Sequence, residues 1–191
     1  MPPITIHPLS PDRSADFVAL FGPQGACYGC WCTAYLLRPK QRQAMTGDER
    51  RDLMLNRIAR DRAPGLLAYD GETPIGWMQI GPRADTPEWN NPGRVSSPLS
   101  DAPAEDASVW AITCFFFGRR WRGKGLTHHL VEAGIAFARA KGARMIEAAP
   151  IVSTKPKSIP LCVGPFNTFE RAGFVEVAHR KDGRPLMRLM L

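Results

Sequence analysis

The period of apolar positions changes several times along the chain, and each change marks an element. Ile4–Leu9 predicts a short first strand. Ser10-Pro11-Asp12 is a helix start, with Phe17, Val18, Leu20 and Phe21 as the apolar face that follows. A second helical region begins near Pro39 and restarts at Thr46, where Thr46-Gly47-Asp48-Glu49 fits a capping box and Leu53, Met54, Arg57 and Ile58 keep helical spacing. Leu66–Tyr69 and Ile75–Ile80 predict two strands joined at Asp70-Gly71-Glu72-Thr73, where Asp-Gly is a strong hairpin signal.

The period then disappears. Asp85–Ser108 carries four prolines, several carboxylates and no apolar repeat, the pattern of a lid, a binding loop, a mobile insert or a plain solvated loop. Val109–Phe117 is apolar without alternation, which predicts a strand buried on both faces. A helix to about Ala140 follows, with Leu126, Leu130, Ala133, Gly134, Phe137 and Ala138 on one face and Lys141-Gly142 as its close. Arg144–Ala149 is the next strand, so strand, helix and strand form a βαβ unit with a parallel pair. A short helix over Gly164–Ala172 and two strands, Gly173–His179 and Pro185–Leu191, complete the chain.

With 191 residues, 44% hydrophobic and 23% charged, the chain fits one soluble domain over 1–191. No apolar stretch approaches the ~20 residues that span a bilayer. The start, Met1-Pro2-Pro3-Ile4-Thr5, lacks a signal-peptide layout. A cytoplasmic protein with no membrane partner is expected. The net charge of +7 suits a polyanionic ligand. Nucleic acid is the lesser alternative and is not an expected partner, because the cations form no stripe with interleaved aromatics. Five cysteines in a reducing compartment argue against a disulfide framework.

The most informative stretch is Arg122-Gly123-Lys124-Gly125-Leu126-Thr127, between the apolar strand and the helix. Strand, glycine turn and helix offer unpaired N–H groups and a positive dipole end to a phosphate. The spacing fits neither the Rossmann fingerprint nor the ATP-binding P-loop. The layout resembles the GNAT superfamily of acetyl-CoA-dependent N-acetyltransferases. Its Arg/Gln-x-x-Gly-x-Gly/Ala signature is met by Arg122, Gly125 and, with a departure, Thr127, and a second frame runs Arg120-x-x-Gly123-x-Gly125. Phe169-Glu170-Arg171-Ala172-Gly173-Phe174 is similar to the family's (Tyr/Phe)-Glu-x-x-Gly-Phe element.

The resemblance implies an α/β (α+β) domain with a mixed, mostly antiparallel sheet of about seven strands and about four helices. It implies acetyl-CoA as co-substrate, held by Phe115, Phe116 and Phe117 along the strand, by Arg120, Arg122, Gly123, Lys124, Gly125, Thr127 and His128 at the turn, and by Asn167. The oxyanion donor it implies is the backbone N–H of Phe115. The usual tyrosine acid is replaced by Phe169. Glu147 is the best-placed candidate base, since a buried carboxylate can reach a base-like pKa, and Cys114 is a second candidate. Cys27-Tyr28-Gly29-Cys30-Trp31-Cys32 has a metal-ligand or redox spacing, but a second Cys-x-x-Cys is absent from the sequence and no metal is expected. Cys27, Tyr28, Cys30, Trp31 and Trp77 are instead candidates for an aromatic acceptor pocket. The function implied is acetyl transfer to the primary amine of a small molecule or peptide, with a non-catalytic acyl-CoA sensor as alternative and a homodimer as an allowed assembly.

Overall fold

The computed structural model describes residues 3–60, 62–152 and 161–191. One sheet of seven strands organises them: β1 (Ile4–Pro8), β2 (Gly65–Asp70), β3 (Thr73–Pro82), β4 (Val109–Phe117), β5 (Met145–Ala148), β6 (Val175–His179) and β7 (Pro185–Met190), in the order β1-β2-β3-β4-β5-β7-β6. Among these seven described strands only β4 and β5 pair in parallel. The expected mixed, mostly antiparallel sheet is what forms.

Among the described residues five α-helices accompany it: α1 (Ser14–Phe21), α2 (Pro39–Ala44), α3 (Gly47–Ile58), α4 (Leu126–Ala140) and α5 (Phe166–Arg171). The capping box predicted at Thr46 is made in both directions. Glu49 N–H donates to Thr46 Oγ1 at 3.2 Å, and Thr46 N–H donates to Glu49 Oε2 at 2.7 Å. The first helix is split, because Pro11–Arg13 forms a 3-10 turn before α1.

Each face of the sheet carries its own core. On one, α4 buries Leu126, Leu130, Val131 and Ala138 against Met78, Ile80, Ile112 and Phe115, joined by Phe169 of α5. Each fully buried side chain of this size contributes about 1.5–3 kcal/mol. On the other face, Phe17 and Phe21 of α1 and Met54 and Ile58 of α3 pack with Trp31, Leu67 and Trp77. The stretch 86–108 differs from the picture of a solvated or mobile loop. Trp89 is fully buried against Ala111, Ala149 and Leu186, and Ser96, Glu88 and Thr86 are buried as well. One large aromatic without periodic company anchors an otherwise polar segment, which an apolar-period reading has no means to detect.

Candidate functional site

The parallel pairing of β4 with β5 ends at Ile112 opposite Ala148, whereas β4 runs on to Phe117. The strands therefore part, and a cleft of about 470 Å³ opens beyond the last pair. Gly118 N–H donates to the Ile75 carbonyl at 3.0 Å. In an antiparallel ladder the paired residues alternate, so Phe116 and Cys114 bond to β3. The backbone groups of Phe115 and Phe117 then face the open side. Phe117 confirms the direction, since its carbonyl accepts from Arg122 Nε at 3.2 Å.

The glycine turn closes one end of this cleft. Gly123 (φ +74°) and Gly125 (φ +77°) hold left-handed conformations that cost other residues energy, and an added Cβ at either would meet no protein atom within 4 Å. Gly125 is the N-cap of α4 and has no side chain to satisfy the first-turn donors; the His128 N–H donates back to the Gly125 carbonyl at 3.1 Å, which leaves the amides of Leu126 and Thr127 for the cleft. Arg122, Gly123, Gly125, Leu126, Thr127 and His128 line the cavity together with Phe115, Phe116 and Phe117. Arg120 and Lys124 do not line it: Arg120 is exposed on the 3-10 turn Arg119–Trp121, and Lys124 Nζ lies 4.7 Å over the Trp121 ring. His128 Nε2 is 3.2 Å from Glu132 on the helix surface.

The opposite wall brings residues that sequence reasoning missed. Cys162, Pro165, Thr168 and Arg171 line it, Trp121 joins the lining from beside the glycine turn, and Asn167 is exposed on α5 and outside the lining set. Pro165, Thr168 and Arg171 recur three apart, one face of the short helix, which is the signal that could have found them. Cys162 carries no such signal, because the chain returns to β4 there through the 3-10 turn Leu161–Val163.

Glu147 does not reach the cleft chemistry. It is fully buried, accepting from Arg83 Nη1 at 2.7 Å and from Arg188 Nη2 at 2.8 Å. Arg188 Nη1 in turn donates to Asp101 at 2.6 Å, and Arg83 Nε to Asn90 at 2.8 Å. With both oxygens held by guanidinium groups, the carboxylate ties β5 and β7 to the 86–108 cover. Each carboxylate oxygen is already taken by a fixed arginine, and the side chain presents no free face to the cleft. Phe169 is also fully buried, its ring edge-on to Phe115 at 6.2 Å and to Phe174 at 5.2 Å.

The residues expected to form an aromatic acceptor pocket do not come together. Trp77 and Trp31 are core residues at 0% and 4% exposure, and Tyr28 is 100% exposed, facing solvent. Trp31 stacks on Phe21 at 5.4 Å, and its indole fills the space beside Gly25, where a Cβ would lie 2.1 Å from Nε1. Only glycine permits that approach. The concavity next to the cleft, about 290 Å³, is lined by Phe21, Pro23, Gln24, Ala26, Cys27, Phe116 and Arg122. Of the five acceptor candidates only Cys27 lines it. Cys30 is partly buried, and burial pushes its thiol up.

The remaining thiols surround β4. Burial raises Cys162 to about 12. Cys114 is raised well above the usual thiol range, first by its contact with Cys32 and then by burial. Among the described residues no group of three or more His, Cys, Asp or Glu is placed to hold a metal ion.

A split parallel pair with a glycine-opened helix N-terminus at its mouth defines an α/β protein with an anion-binding geometry beside an open strand edge. The chain belongs to the acetyltransferase (GNAT) family, whose model matches residues 31–162. Solved structures share the fold over nearly the whole chain. The PaiA N-acetyltransferase of Thermoplasma acidophilum, in complex with coenzyme A, is 13% identical with a TM-score of 0.55, covering 99% of each chain. YncA of Salmonella typhimurium with its cofactor acetyl-CoA is 17% identical with a TM-score of 0.56, covering 98% of this chain and 94% of its own. A GCN5-related N-acetyltransferase from Kribbella flavida is 17% identical, with a TM-score of 0.57 and 98% coverage of each. Among curated proteins none matches.

Proposed function

We propose that the chain transfers an acetyl group from acetyl-CoA to a primary amine by direct attack, without a covalent enzyme intermediate. The observation that carries this is the Gly123–Gly125 turn at the mouth of a cleft whose strand edge, Phe115 to Phe117, presents open backbone groups. The cleft suits coenzyme A on its own terms. Two left-handed glycines leave room for phosphate oxygens at a helix N-terminus, and Arg122 and Arg171 line the walls. An unpaired strand edge can pair with the amides of an extended arm. When bound, acetyl-CoA supplies the activated acyl group. The Phe115 N–H then faces the reacting carbonyl oxygen as an oxyanion donor, and the amine enters over the concavity lined by Phe21, Ala26, Cys27 and Phe116.

Proton transfer in this reading goes to water. Cys162, the thiol nearest in kind to an acid, holds its proton at about 12. That makes it a weaker acid than an ordinary thiol near ~8.5, so it donates poorly to a departing thiolate. The acceptor is a small-molecule or peptide amine, and the protein works in the cytoplasm. Among the described residues no helix is long and apolar enough to cross a membrane. The homodimer also belongs to this proposal. Edge strand β6 exposes Val175, and Met190 on β7 is exposed beside it. Sedimentation showing a single 21.1 kDa species at all concentrations would remove that part.

One alternative has specific support: a non-catalytic acyl-CoA sensor, favoured by the buried Phe169 and by Glu147 locked between two arginines. Calorimetric titration with acetyl-CoA tests both readings, and absence of binding below about millimolar sinks both. Thiol release across a panel of amines then divides them. Turnover with any amine supports the enzyme, and binding without turnover supports the sensor.

A further inference from the structure

We infer that Cys32 and Cys114 are a disulfide-forming pair, through which a hydroperoxide covalently joins the acceptor-side segment to β4 at the cleft. Their sulfurs lie 3.0 Å apart although 82 positions separate them in sequence. All five cysteines are free, so the pair is available to oxidation. A disulfide bond measures about 2.05 Å, so about 1 Å of side-chain adjustment closes the gap. A shared metal ion does not account for the contact. Two thiolates on one tetrahedral zinc, with bonds near ~2.3 Å, sit close to ~3.8 Å from each other, and no metal-holding group exists among the described residues.

Both partners are held in place independently of each other. Cys114 sits in the paired part of β4, opposite Gln79. Cys32 is buried within the α1 core, and Trp77 Nε1 donates to its sulfur at 3.2 Å. The segment that delivers it is conformationally unusual. Ala26 (φ +65°), Tyr28 (φ +55°), Trp31 (φ +45°) and Cys32 (φ +54°) all adopt the left-handed region without being glycine. Strain of this kind persists only where the surroundings over-determine it and concentrates at functional positions. Here it turns the Cys32 sulfur onto the strand residue that precedes Phe115.

The chemistry balances in two steps. The Cys114 sulfur gives up its proton as it attacks the hydroperoxide; the O–O bond breaks, the departing oxygen takes that proton and leaves as an alcohol or water, and a sulfenic acid forms, a step that the raised thiol makes slow. The Cys32 sulfur then attacks Cys114 Sγ, the S–O bond breaks, and the departing hydroxide takes the Cys32 proton as water. Two thiols lose two electrons and two protons, and the hydroperoxide is reduced. Cys27, Cys30 and Cys162 are also free and are the competing partners.

The test needs only the full chain and does not depend on the acetyl-transfer reading. The protein is treated with hydrogen peroxide, its remaining thiols are blocked by alkylation under denaturing conditions, and the disulfides are mapped by mass spectrometry. Chymotrypsin separates Cys27, Cys30 and Cys32, because Tyr28, Trp31 and Tyr35 stand between and after them. The expected result is a peptide bearing Cys32 joined to one bearing Cys114, released by dithiothreitol and missing in C32S and in C114S. Full alkylation of both thiols after oxidation, or a link that joins Cys27 to Cys30 in their place, overturns the inference. The wild-type map decides even where a serine variant folds poorly.

Discussion

Glu147 shows how far a single residue's role depends on what packs over it. As a strand carboxylate beside the cleft it reads as a base. Buried between Arg83 and Arg188 it is the neutralising centre of a cover that only the fold assembles. Removing its charge leaves two guanidinium groups facing an uncharged partner, and breaking such a buried pair costs about 3–5 kcal/mol. Glu147→Gln is therefore expected to lower the melting temperature by roughly 10 °C and to leave the pH profile of the remaining activity unchanged; a profile that loses its alkaline rise would restore the base. The same reasoning sets the pH dependence of the wild type. Cys162 keeps its proton to about 12 and adds no inflection at physiological pH. With a lysine-like amine of pKa near ~10.4, the neutral acceptor grows about tenfold per pH unit, and kcat/KM is expected to rise with it from pH 6 to 9. A plateau setting in below pH 8 would reveal an enzyme base.

At the scale of elements, the chain spells out what repeats and conceals what does not. The α4 face, the Asp-Gly hairpin, the capping box at Thr46 and the glycine turn were legible because helix periodicity, turn chemistry and caps are local. The 86–108 cover, the α5 wall of the cleft and the burial of Trp31 and Trp77 were not, because each depends on a distant surface arriving to meet it. The glycine turn yields the sharpest test of the element that was legible. In Gly125→Ala the new Cβ touches no protein atom, so the protein loses only about 1–2 kcal/mol to the left-handed backbone. The same Cβ stands where phosphate oxygens would approach the helix N-terminus, and acetyl-CoA affinity is expected to fall at least about tenfold, or ~1.4 kcal/mol. Calorimetry showing unchanged affinity in a destabilised variant would move the pyrophosphate away from this turn.

For the whole molecule, the decisive feature is that the sheet is nearly two sheets. The strands β1 to β4 and the trio β5, β7 and β6 meet through four residue pairs, Val109 with Met145 to Ile112 with Ala148, and then part around the cleft. A ligand seated there touches β4, the start of α4 and α5 at once, and so bridges both halves. Ligand binding to the native state alone at a hundred times its Kd stabilises by about 2.7 kcal/mol, which for a domain of this size raises the melting temperature by about 5–10 °C. Acetyl-CoA is expected to do this. Pantetheine, which lacks the phosphates, is expected to do much less at equal concentration, and added salt should erode the difference because screening weakens phosphate contacts. Hydrogen exchange locates the effect, with the Phe115 and Phe117 amides slowing most, since those groups face the opening between the halves. If pantetheine stabilises as strongly as acetyl-CoA, the helix N-terminus is not the anchor, and the binding energy resides in the strand edge alone.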